Sequence, residues 1–147
     1  MGPKAIILVI AAAFALEACG QREPVPGAGA LPCNSGICKL EVTVANNDCS
    51  NATNIKVSRD PLPVPKGSPH NIEWTVQDGF TWVAPAGGIT SLPPGVFTDH
   101  RLSPDGRKYS VHDANPEPAP TDHKYDVHLL KNGAPCAVKD PIIRNGS

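Results

Sequence analysis

Asn71-Ile72-Glu73-Trp74-Thr75-Val76-Gln77 sets Ile72, Trp74 and Val76 against Glu73, Thr75 and Gln77 at every second residue, the period of a strand buried on one face. The stretch predicts the central strand of a sandwich. Lys66-Gly67-Ser68-Pro69 before it and Asp78-Gly79 after it are turn residues. Upstream, Cys38-Lys39-Leu40-Glu41-Val42-Thr43-Val44 alternates in the same way and predicts the first strand. Residues 55–58 and 62–64 keep the pattern, but Pro61, Pro63 and Pro65 lack the donor a ladder needs, which confines them to a sheet edge or a crossing. Downstream, residues 79–83 form a short strand that sets Phe80 and Trp82 beside Trp74. Residues 84–99 read as a long connection between sheets, anchored by Ile89, Leu92, Val96 and Phe97. Residues 107–113 predict a strand with Tyr109 and Val111 inward, 115–121 a proline-broken loop and 124–130 the penultimate strand. Lys131-Asn132-Gly133 turns that strand, and residues 135–144 close the sheet.

The 147 residues, 40% hydrophobic and 18% charged, describe one globular domain. Seventeen prolines and thirteen glycines interrupt helix interiors, so the expected class is all-β: a Greek-key β-sandwich of about seven strands over residues 33–147. A net charge of −1 supplies no basic surface for a phosphate backbone, so nucleic acid is not expected as a partner.

Lys4, the apolar run 5–16 and the small residues before Cys19 are the parts of an export signal over residues 1–18; the run is too short to span a bilayer. Leu16-Glu17-Ala18-Cys19 resembles the bacterial lipobox, from which Glu17 departs. The resemblance implies lipidation at Cys19, hence a membrane partner through a palmitate-type anchor, and Gly20 in the following position implies the outer membrane facing the periplasm. The alternative is cleavage after Ala13-Phe14-Ala15 and release into the periplasm. Parity favours the anchor: five cysteines leave one unpaired, and acylating Cys19 leaves Cys33, Cys38, Cys49 and Cys136 as an even set. Residues 19–32, rich in Pro, Gly and Ala, read as a tether.

Four cysteines allow three connectivities. The preferred one joins Cys33 to Cys38, a small staple at the start of the domain, and Cys49 to Cys136, a long-range bridge worth roughly 4 kcal/mol or more in the chain-entropy model. A zinc site on Cys33 and Cys38 is the competing reading, and no second close cysteine pair supports it.

The run from Ile55 through Val64, Gly67 and residues 71–77, then 109–113 and 125–127, resembles cupredoxin-like domains, in particular small, uncharacterised bacterial exported proteins built on that scaffold. The closing Asp140-Pro141-Ile142-Ile143-Arg144-Asn145 is similar to the ending of that group. Blue-copper members need two His, a Cys thiolate and usually an axial Met. This chain has Asp126 and Val127 after Tyr125, no Met beyond residue 1, and no His in Gln77-Asp78-Gly79-Phe80. The resemblance therefore implies the scaffold and counts against electron transfer.

Four of the five histidines gather in the last third of the sequence with carboxylates, as in Asp99-His100, His112-Asp113 and Asp122-His123. Neutral imidazole is the commonest protein ligand for zinc or copper. His112 and His128 lie on the faces opposite Val111 and Val127, so pairing of their strands would bring them together, with His123 or Asp126 close by. No serine stands in a Gly-x-Ser-x-Gly turn, and Gly87-Gly88 leads to no phosphate-binding loop. The leading expectation is a cell-envelope lipoprotein acting as a binding or structural module without catalysis or cofactor, its protein or small-molecule partner unspecified. The alternatives are a periplasmic copper- or zinc-binding protein using His112, His128 and His123, and an enzyme without a named nucleophile.

Overall fold

In the computed structural model, which describes residues 33–84 and 87–147, the stretch that opened the sequence reading is a central strand with Ile72, Trp74 and Val76 fully buried. The expected signal segment, the expected acylation site Cys19 and the expected tether lie outside the described residues. In chain order the strands are β1 (Cys33–Asn34), β2 (Ile37–Val44), β3 (Ile55–Val57), β4 (Leu62–Val64), β5 (His70–Val76), β6 (Phe80–Trp82), β7 (Ile89–Thr90), β8 (Phe97–Leu102), β9 (Lys108–Asp113), β10 (Thr121–Lys124), β11 (Asp126–Val127), β12 (Leu129–Lys131), β13 (Ala134–Pro135) and β14 (Ile142–Asn145). Two three-residue 3₁₀ turns, Ala45–Asn47 and Ala52–Asn54, are the only helical elements among the described residues. The fold is an all-β sandwich.

One layer is a sheet in the order β1-β2-β5-β9-β8. β2 takes β5 in parallel along one edge, and β1 and then β3 antiparallel along the other. The facing layer is assembled from short pieces because the chain from Thr121 to Lys131 changes partner as it runs. It pairs with β14 through β10, with β7 through β11, and with β6 and β13 through β12. The single penultimate strand expected from the sequence is thus replaced by three short ones, and the described residues hold fourteen strands where about seven were expected. Partner exchange interrupts the ladder at Tyr125 and His128, although their N–H groups still donate to Pro141 O and Gly88 O. β4, carrying Pro63, lies at the edge of its sheet beside parallel β14, where a missing N–H costs no ladder bond.

The layers meet over aromatic side chains. Trp74 Nε1 donates to Tyr125 OH at 3.0 Å, with the rings 5.5 Å apart and tilted. Trp82 Nε1 donates to Arg107 O at 3.1 Å, and its ring lies 5.8 Å from that of Tyr109. Both indole N–H groups are therefore satisfied inside the core. Gly88 is required here, since a Cβ would lie 2.9 Å from Tyr109 Cδ2 and 3.1 Å from Trp82 Cβ. Beyond the end of β5, the Gln77 amide pairs in both directions with the Val44 backbone, at 2.8 and 3.2 Å. It continues the ladder where Asp78-Gly79 turns the chain away.

β8 is the main departure from the sequence reading, which took residues 84–99 as connection. Its side chains run from buried Phe97 through four exposed residues to half-buried Leu102. A bulge between Thr98 and Arg101, with Asp99 in the left-handed region at φ 53°, removes the alternation that would have announced a strand.

Candidate functional site

The three histidines named as metal ligands are held apart by the topology. The strand bearing His112, β9, lies between β5 and β8, whereas β11, just ahead of His128, pairs with β7 in the other layer. The strand pairing that would have joined them does not occur. His112 Nδ1 is 3.2 Å from Asn71 Oδ1, His128 Nε2 is 2.8 Å from Thr90 Oγ1, and His123 Nε2 is 2.8 Å from Glu117 Oε1. Each histidine thus has its own local partner. Among the described residues no three His, Cys, Asp or Glu side chains gather as a metal-binding group.

His112 nonetheless sits in the better of two candidate sites, a cleft of about 230 Å³ on the outer face of β5, β9 and β8. Its construction follows from register. Glu73 on β5, Ser110 on β9 and Arg101 on β8 form one cross-strand row, and Asn71, His112 and Thr98 the next. Ser110 is the small residue between two long ones, so the middle of the row is open. The β8 bulge adds Asp99 to the wall; bulges commonly re-aim side chains at binding sites. Among the described residues the side chains of Glu73, Asp99 and Arg101 have no ion-pair partner. The cleft presents charge of both signs to solvent.

The second site is buried, at the end of the sandwich where the chain enters through Cys33. The ends of β5, β9, β14 and β8 converge there, with His70 and Phe97 both in register with Asp113. Asp113 and Asn145 are fully buried, and Asn115 nearly so. Asp113 Oδ1 accepts from Asn115 N at 2.8 Å and from Asn145 Nδ2 at 3.0 Å. Asn145 Nδ2 also reaches Glu117 Oε2 at 3.2 Å, and Glu117 holds His123, whose ring meets Phe97 edge-on. Asn115 Nδ2 donates to Pro65 O at 2.7 Å, and His70 Nδ1 lies 2.8 Å from Ser68 O. Burial pushes the Asp113 carboxyl above the ordinary carboxylate range, with Glu117 acting in the same direction. The bonds from Asn115 and Asn145 oppose that shift. Gly146, next to Asn145 and at φ 75°, packs closely on Ala119, since a Cβ would lie 3.0 Å from Ala119 O.

This network was missed in the sequence. Parity was the available signal: Asp113 continues the inward series of Tyr109 and Val111, and Asn145 shares its face with Ile143.

The four described cysteines form two disulfides, Cys33–Cys38 and Cys49–Cys136. These bonds indicate an oxidising, extracytoplasmic compartment. No helix among the described residues is long and apolar enough to cross a membrane. No protein-family model matches the chain, and no curated protein matches it.

Proposed function

We propose that the chain is a binding module of the bacterial cell envelope, held on the outer membrane by acylated Cys19, facing the periplasm and performing no chemistry of its own. Its sandwich is read as a cupredoxin-like scaffold without the blue-copper ligands, joined to the anchor through residues 19–32. The observation that carries the reading is the cleft over β5, β9 and β8, where Glu73, Asp99 and Arg101 line about 230 Å³ without pairing with one another. Charged groups left unpaired around a concavity are free to orient a small polar ligand. Two disulfides support the compartment.

Two measurements test the two halves of this reading. Labelled palmitate enters the wild-type chain and not Cys19→Ser; equal labelling of both, or of neither, removes the anchor. Titrating the ¹⁵N-labelled full-length chain with the low-molecular-weight fraction of a periplasmic extract shifts the amides of Glu73, Ser110 and His112. Shifts confined to other residues, or none, remove the cleft as the ligand site.

A further inference from the structure

The buried end of the sandwich carries an imbalance that its own hydrogen bonds leave uncorrected. Asp113 Oδ2, Asn115 Oδ1 and Asn145 Oδ1 are buried and have no hydrogen-bond partner. All three are acceptors, and they belong to one bonded unit, because Asp113 Oδ1 takes a hydrogen bond from Asn145 Nδ2 and another from Asn115 N. Turning the amides over does not help. Asn115 Nδ2 faces the carbonyls of Pro65 and Ser68, and Asn145 Nδ2 faces oxygens of Asp113 and Glu117, so a flip would set oxygen against oxygen. An unsatisfied buried acceptor costs about 1–3 kcal/mol, and more when it is charged. Three together call for a positive partner.

We propose that Asp113, Asn115 and Asn145 bind a hard divalent cation of the calcium class at the tether end of the sandwich. The donor set is one carboxylate oxygen and two amide carbonyls, the all-oxygen chemistry that such ions select over transition metals. It contains no sulfur or imidazole. A single proton on Asp113 satisfies its own oxygen and one acceptor, and a single water donates two hydrogen bonds, whereas one cation takes a lone pair from each of its oxygen ligands. The sequence Asp113-Ala114-Asn115-Pro116-Glu117 also spaces its oxygen-bearing side chains at alternate residues, as the first half of a calcium-binding loop does. Asn115 stands in the left-handed region at φ 43°, a conformation that Asn tolerates better than most residues and that bends the chain around the site. Glu117 adds negative charge while both its oxygens stay engaged by His123 and Asn145. With three protein oxygens and water completing the shell, the affinity belongs with extracellular modules, at a Kd of roughly 10⁻⁴–10⁻³ M.

The test uses the full-length chain after dialysis against chelator. Calcium titration followed by mass-spectrometric metal analysis gives one ion per chain, and the side-chain amide resonances of Asn115 and Asn145 shift together as it binds. Asp113→Asn, which keeps the shape and removes the charge, loses that binding at about 10 mM calcium while the fold, read by circular dichroism, is retained. The wild-type titration stands whether or not the variant folds. Absence of binding in the wild type at that concentration overturns the site, as does binding that leaves both amide resonances unmoved or that persists in Asp113→Asn. Sodium or magnesium shifting the same resonances as strongly as calcium overturns the assignment to the calcium class.

Discussion

In the aromatic middle of the sandwich and at its tether end the side chains are buried alike, yet they are held by opposite means. In the middle, Trp74, Trp82, Tyr109 and Tyr125 are buried, and each indole N–H finds an acceptor in the facing layer. At the tether end, Asp113, Asn115 and Asn145 are just as inaccessible, but oxygens outnumber the protons available to them. The middle is complete in itself and carries stability. The end is complete only with something supplied from outside, and natural proteins tend to keep such local inconsistencies where they have a use.

The largest effect is expected in the middle. Trp74→Ala removes a fully buried ring from the central strand together with the donor to Tyr125, and chemical denaturation should show a loss of about 3–5 kcal/mol. A loss below about 1 kcal/mol, the size of an ordinary surface effect, would mean that the layers are not closed over this residue. Tyr125→Phe is subtler, since it keeps the ring and strands only the indole N–H. The expected loss is about 1–3 kcal/mol, and a neutral result would show that the tryptophan proton has another acceptor. Burial already pushes the Tyr125 phenol well above its usual range, so it remains a neutral donor and acceptor throughout.

The tether end predicts the opposite sign for a polar change. In chelator, Asp113→Asn removes a buried charge and adds an N–H beside orphaned amide oxygens. Stability should therefore be unchanged or raised by up to about 1 kcal/mol. A loss of about 2 kcal/mol or more, as expected for a truncated buried hydrogen bond, would show that the carboxylate is satisfied within the fold and would erase the contrast between the two regions.

The two regions also differ in how far the sequence reveals them. In the first layer β2 and β5 were legible because each buries every second residue, and a two-residue period is a local property. The connectivity Cys33–Cys38 and Cys49–Cys136 was preferred among three, and those bonds are present. β8 was invisible because an edge strand with a bulge has no buried face to alternate. Strand pairing decides whether His112 and His128 meet, and pairing is set by distant partners rather than by the residues themselves. Asp113 was read only as the carboxylate beside His112, and a charged residue is normally expected outside; its parity with Val111 was the one mark of an inward position. The cleft has the same limitation, because Glu73, Ser110 and Arg101 become neighbours through register alone.

The smallest expected effect separates position along a strand from position in the core. Arg144 precedes Asn145 on β14 but points outward, where its guanidinium grips Asp122 on β10 at 2.6 and 2.8 Å. The pairing raises the Arg144 pKa and holds the Asp122 carboxyl below its ordinary range. Both groups are exposed, where water and salt screen the attraction and ordering two side chains offsets much of it. Arg144→Gln should leave the unfolding midpoint unresolved from wild type at physiological salt. It should also leave calcium binding intact, because the ion pair is on the opposite face of the strand from Asn145. A clear drop in midpoint, or loss of the ion, would mean that β14 responds as one unit and that the inward face does not by itself determine what the tether end does.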